Sequence, residues 1–142
     1  MTSHIVQSAA RARGRPAARL RSERGASGTI EMVVLLPLLF TVMFLGVQAA
    51  MYYYAGTIAL AAAQDGARAA AGLDGQTDPG TGTRVATAVL ADSDGSLEDW
   101  SATTIRTVDS VTVTVTGVAL SVVPGWHLSV TKSATAPLEV LS

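Results

Sequence analysis

Hydrophobic and polar positions follow three different rhythms along this chain. From Met32 to Tyr54 the sequence is almost continuously apolar, and no Lys, Arg, Asp, Glu or His stands between Glu31 and Asp65. About twenty helical residues rise through the ~30 Å of a bilayer's hydrocarbon core, so the stretch is long enough to cross one. A helix is required, because a lone strand leaves its N–H and C=O groups unsatisfied in lipid. Pro37 lies inside it, where a mild kink is expected. Ala55–Ala71 continues as an Ala-rich run in which Ala59, Ala63, Ala67 and Ala71 recur every fourth residue, with Gly46 and Ala50 at the same spacing lower down. Rows of small residues let helices approach closely. With Gly72 as its C-cap, a helix from about Thr29 to Ala71 would be roughly 60 Å long.

Beyond the helix the rhythm changes twice. Leu73–Gly82 holds Asp74-Gly75 and Asp78-Pro79-Gly80 and reads as a turn-rich linker. Thr83–Asp92 places Val85, Val89 and Leu90 on one side of a short amphipathic helix. Further on, Val111, Val113 and Val115 alternate with Thr112, Thr114 and Thr116, the period-two pattern of a half-buried strand. Thr103–Val108, Val118–Val123 and His127–Ala134 are further strand candidates, with Pro124-Gly125 turning between the last two. The predicted fold is α+β: one long N-terminal transmembrane helix that extends out of the membrane, then a short helix and about three to four antiparallel strands. The expected layout is a disordered basic leader over 1–25, the helix over 26–72 with its span at about 32–54, a linker over 73–82, and a small domain over 83–142.

Charge adds an orientation. The formal net charge of −1 conceals an asymmetry, because Arg11, Arg13, Arg15, Arg19, Arg21 and Arg24 all precede the span. Lys and Arg in short flanks favour the cytoplasmic side, so the N-terminus is expected inside and the C-terminal domain outside a cytoplasmic (inner) membrane. Tyr52, Tyr53 and Tyr54 then fall at the outer interface, where aromatic side chains concentrate. The Arg-rich leader has no aromatics to stack bases, so its expected contact is anionic lipid and not nucleic acid.

Candidate chemistry is sparse. The chain has no cysteine, and its two histidines lie one in the leader (His4) and one in a predicted strand (His127), so a His-based metal site or catalytic triad lacks parts. Gly80-Thr81-Gly82-Thr83-Arg84 lacks the Lys-Ser/Thr ending of a phosphate loop. Aligning Gly95 with the glycine of a calcium-binding loop puts Leu90 and Ser101 at ligand positions that need carboxylates. Asp65 and Arg68 are spaced for an i,i+3 ion pair on a helix face. No enzyme is expected, and no cofactor or metal.

The remaining chemistry sits at the junction Arg24-Gly25-Ala26-Ser27-Gly28-Thr29-Ile30-Glu31. Small residues directly before an apolar helix, with a carboxylate at its start, are unusual for a plain anchor. Glu31 has two physical readings: a helix-start carboxylate favoured by the helix dipole, or a charge compensated by a cationic group of a neighbouring subunit.

Arg24-Gly25-Ala26 through Glu31-Met32-Val33-Val34-Leu35-Leu36-Pro37-Leu38-Leu39 resembles the start of the TadE-like proteins, pseudopilins of the tight-adherence (Tad/Flp) pilus system. Ala61-Ala62-Ala63-Gln64-Asp65-Gly66-Ala67-Arg68-Ala69-Ala70 is similar to the small-residue element that follows the span in that family. The resemblance covers about Arg24–Gly72. It implies that a prepilin peptidase removes the leader at Gly25, Ala26 or Ser27, and that Glu31 registers the mature helix among other subunits. Cutting after Ala26 puts Glu31 at the fifth position, as usual in pilins; cutting after Gly25 puts it at the sixth but follows a glycine, and both sites stay open. Gln64, Asp65, Gly66 and Arg68 then form a helix-packing motif. The implied partners are the prepilin peptidase, other pilus or pseudopilin subunits, membrane assembly proteins and membrane lipid. Two other readings remain: a secreted protein cut after Ala61-Ala62-Ala63, and a single-pass membrane-tethered binding or structural module unrelated to pili.

Overall fold

The computed structural model describes the backbone over residues 17–139 and side-chain surroundings over residues 28–139. Six elements follow one another: α1 (Ala17–Ala71), α2 (Leu73–Gln76), α3 (Thr81–Asp92), β1 (Leu97–Arg106), β2 (Ser110–Ala119) and β3 (Leu128–Pro137). The chain divides into two units, Met1–Phe40 and Thr41–Ser142. The α+β class holds, with three antiparallel strands among the described residues, within the three to four expected.

In the first unit the described backbone is helical from Ala17, ahead of the expected start. Ala17, Ala18, Arg19, Leu20 and Arg21 all have high intrinsic helix propensity, which carries the helix back into the basic leader. Every described side chain from Gly28 to Phe40 is exposed, Ile30, Met32, Val33 and Leu39 among them. The rest of the leader, 1–16, lies outside the described residues.

The second unit is built on an antiparallel meander in the order β1-β2-β3. Val113 stands opposite Thr104 on β1 and Ala134 on β3, so the three strands keep one inward face in register. Val111, Val113 and Val115 point into that face and are fully buried, while Thr112, Thr114 and Thr116 point the other way. Burying each valine contributes about 1.5–3 kcal/mol. The outer face is almost all hydroxyl: Ser101 and Thr103, the three β2 threonines, then Thr131, Ser133 and Thr135, with Thr112 and Thr135 in hydrogen-bond contact at 2.8 Å.

The cover over the inner face is α1 itself. Ala55, Ala59, Ala62, Ala63, Ala67 and Ala70 are buried in one cluster with the β2 valines, Val130 of β3, and Ala86 and Leu90 of α3. The row of small residues therefore packs on the chain's own sheet. Gly66 shows how close that packing is, since a Cβ there would stand 2.6 Å from the Gly82 carbonyl oxygen, 3.1 Å from Ala86 Cβ and 3.3 Å from Val113 Cγ1.

Strand boundaries depart from the period-two reading in two places. β1 begins at Leu97 and not at Thr103, because the ladder shifts between Glu98 and Ser101 and Asp99 takes a positive φ of 46°. Such a bulge breaks the alternation that a sequence pattern needs. Val118–Val123 is no separate strand: β2 runs on to Ala119, and residues 120–127 form the connection to β3.

The linker is also more ordered than its composition predicts. It contains α2, and Gly72 is that helix's N-cap with extended backbone (φ −65°, ψ 161°), so it is not a left-handed C-cap for α1. The end of α1 is closed by side chains and by the chain's last described residues. Arg106 Nη2 donates to the carbonyls of Ala70 (3.0 Å) and Gly75 (2.9 Å), and Gln76 Nε2 and the Glu139 N–H both donate to Ala71 (3.1 and 3.3 Å). At the start of α3, Asp78 accepts from Arg84 and from the Gly80 N–H. Those two hydrogen bonds, the Arg84 one foremost, hold the Asp78 carboxyl below its ordinary value.

Gly66→Val puts branched carbons where the Gly82 carbonyl stands. Overpacking of this kind costs about 1–3 kcal/mol. Gly46→Ala, where a Cβ would meet nothing within 4 Å, should not lower stability and, through alanine's higher helix propensity, should raise it by up to about 1 kcal/mol. Denaturant unfolding of the full chain in detergent, followed by circular dichroism, checks the pair.

Candidate assembly helix and processing junction

The residues singled out in the sequence all lie on α1, and the structure separates them into three groups. Gly25, Ala26 and Ser27 belong to its helical backbone; their side chains lie outside the described residues. Glu31 is exposed on the same helix. Gln64, Asp65, Gly66 and Arg68 lie within the part that covers the sheet.

That last group divides by helix face. Gly66 is buried against α3 and β2, whereas Gln64, Asp65 and Arg68 are exposed. The predicted ion pair forms, Arg68 Nη1 to Asp65 Oδ1 at 3.3 Å, with both side chains more than half exposed. A pair so exposed contributes a few tenths of a kcal/mol. The motif thus presents a buried small residue to its own domain and a polar surface to whatever lies beyond.

Between these groups runs the apolar segment. Gly28–Ala71 contains one helix long and apolar enough to cross a membrane, with a mean hydropathy of 2.4 in its most apolar window and none of that window buried. Its side chains stay exposed through Val47. The change comes at Gln48, which is only 3% exposed. Its Oε1 accepts from the Val122 N–H at 2.9 Å and lies 3.0 Å from Ser121 Oγ, while its Nε2 lies 3.5 Å from the Leu120 carbonyl. The Ser121 hydroxyl has one proton and two acceptors in reach, Gln48 Oε1 and the Val123 carbonyl, both at 3.0 Å.

Gln48 is the buried polar residue of this helix that sequence reasoning passed over. An uncharged amide does not interrupt a search for charges, yet it is the only amide between Met32 and Tyr54. A lone amide in an apolar helix needs a partner for each of its polar atoms, and that requirement was the available signal.

Compared with known families, residues 26–68 match the model of the TadE-like protein family. This stretch is TadE-like. The TadE-like segment takes in Glu31, the exposed apolar residues, Gln48 and the Ala-rich face up to Arg68. It ends before α2 and includes no residue of the sheet. Neither the search of curated proteins nor that of solved structures gave a match.

Replacing Gln48 by alanine removes the acceptor for the Val122 N–H and the contact to the Leu120 carbonyl. Each buried polar group left unsatisfied costs about 1–3 kcal/mol. Amide hydrogen exchange should therefore speed up at Val122 in Gln48→Ala, while the Val113 and Val115 amides at the centre of the sheet keep most of their protection.

Proposed function

We propose that this chain is a non-catalytic, single-pass membrane pseudopilin that takes part in assembling a tight-adherence (Flp-type) pilus or a related secretion apparatus. The observation that carries the reading is the TadE-like match over 26–68, a stretch that holds both the apolar helix and the small-residue element after it. The likeness begins at Ala26, directly behind the Arg-rich leader, which supports removal of that leader by a prepilin peptidase. The same arginines support an N-terminus in the cytoplasm and a domain outside the cytoplasmic membrane.

In this reading the helix has two tasks. Its exposed apolar side chains hold the protein in the bilayer and offer a surface to other helices, and Glu31 meets a cationic group of a neighbouring subunit there. The polar face of Gln64, Asp65 and Arg68 lies above the span, available to other pilus subunits and membrane assembly proteins.

Intact-mass analysis of the protein purified from membranes tests the processing step. The expected product starts at Ala26 or Ser27. A chain that keeps its leader would overturn the pseudopilin reading in favour of a plain membrane tether, and one starting after Ala63 would indicate secretion.

Glu31→Ala should leave membrane insertion intact and impair leader removal or pilus formation. Fractionation with immunoblotting reads the first, and electron microscopy of cell-surface filaments reads the second. Normal processing together with normal filaments would remove Glu31 from the mechanism.

A further inference from the structure

We propose that the β2–β3 connection, residues 120–127, docks into the lipid interface on the domain's side of the membrane. It would act as a second membrane contact beside the helix. The inference rests on the membrane-spanning reading of α1.

The loop's level follows from Gln48. Counted from Met32, the about twenty residues needed for the hydrocarbon core end near Met51, so Gln48 belongs to the last turn of the span. Its side chain holds Leu120, Ser121 and Val122 directly. A loop tied to that turn is tied to the boundary between hydrocarbon and headgroups. Tyr54, whose hydroxyl lies 3.5 Å from Asp94 Oδ2, stands about 9 Å further along the helix, which puts that carboxylate at headgroup level.

The loop's surface suits lipid. Leu120, Val122 and Trp126 are 37%, 39% and 48% exposed. No Asp, Glu, Lys or Arg occurs from Ser110 to Thr131. The side chains just before Gln48 on the helix (Val42, Met43, Phe44, Leu45 and Val47) are also apolar and exposed, so the loop extends the lipid-facing surface already present in the second unit. Tryptophan is the side chain most at home in this zone, with an apolar ring and one N–H for the headgroups.

Four of the loop's backbone N–H groups have partners within the protein. The N–H of Leu120 donates to the Ser96 carbonyl, that of Val122 to Gln48, that of Val123 to Ser121 Oγ, and that of Trp126 to the Val123 carbonyl. Pro124 has no N–H to satisfy. The last of these bonds closes a turn with Pro124 second and Gly125 third, and Gly125 takes the φ of +82° that this turn type requires. Trp126 is thus positioned by a defined turn.

The native chain lacks cysteine, so single-cysteine variants of the full chain take an environment-sensitive fluorophore at one position. Val122→Cys and Trp126→Cys probe the loop, Phe44→Cys the span, and Val108→Cys, in the fully open β1–β2 turn, the water-exposed reference. In phosphatidylcholine–phosphatidylglycerol liposomes the loop labels should shift to the blue relative to the Val108 label. They should also lose emission to a lipid-attached quencher, as the Phe44 label does. A loop label that behaves like the Val108 label while the Phe44 label is quenched by lipid overturns the docking and leaves the span standing. A Phe44 label open to aqueous iodide overturns the span, and the docking with it. Loop labels shielded from both quenchers would mean that protein covers the loop, which also overturns the lipid contact.

Discussion

The close approach of a small-residue helix face to a valine-lined sheet is the contact on which the rest of this protein depends. A three-stranded meander has one face to bury, and alone it is barely large enough to be stable in water. Here α1 supplies the cover with Ala55, Ala59, Ala62, Ala63, Ala67 and Ala70, and none of these side chains holds the helix away from Val111, Val113 and Val115. The packing tolerates no Cβ at Gly66, because Gly82 of α3 lies across it. Through that point α1, α3 and β2 share one core. Alanine contributes little apolar area per residue; its value here is that it lets the valines and Leu90 be buried completely.

Polar groups then fix what the apolar contact leaves free. Arg106 and Gln76 close the exposed carbonyls at the end of α1, so the helix stops at Ala71 without a left-handed glycine. Gln48 does the corresponding work nearer the start of the second unit by holding the β2–β3 connection through Leu120, Ser121 and Val122. Between those two points the buried face of α1 is almost entirely Ala and Gly, and its register on the sheet is set from both ends. A helix with a uniform small-residue face could slide along a flat sheet. The hydrogen bonds at Gln48 and Arg106 oppose that at small cost in area.

The TadE-like segment therefore combines two kinds of helix surface in one run of sequence. Up to Val47 its described side chains are exposed and, apart from Thr29, Glu31 and Thr41, apolar. From Gln48 onward one side of it packs into the core it shares with the sheet and α3, and the other carries Gln64 and the Asp65–Arg68 pair. The family likeness ends at residue 68, close to where the helix ends, and leaves out the sheet that the helix covers. In this chain the matched residues form a helix that is mostly apolar and exposed at one end and covers a sheet at the other.

The apolar run, the Ala-rich continuation, α3 and the Val/Thr alternation of β2 were legible in the chain because each is a local periodic pattern with a single physical meaning. The small-residue row was legible as a packing face too, but not its partner: alanine spacing is the same whether the facing surface is another helix or the chain's own sheet. The start of β1 was hidden by the bulge at Asp99, and the closure of α1 by a glycine that looked like a cap. Gln48 was hidden because its partners lie more than seventy residues away. Local order along a chain records which surfaces must be covered. Long-range contacts decide what covers them, since burial and hydrogen bonding are satisfied only when distant segments meet.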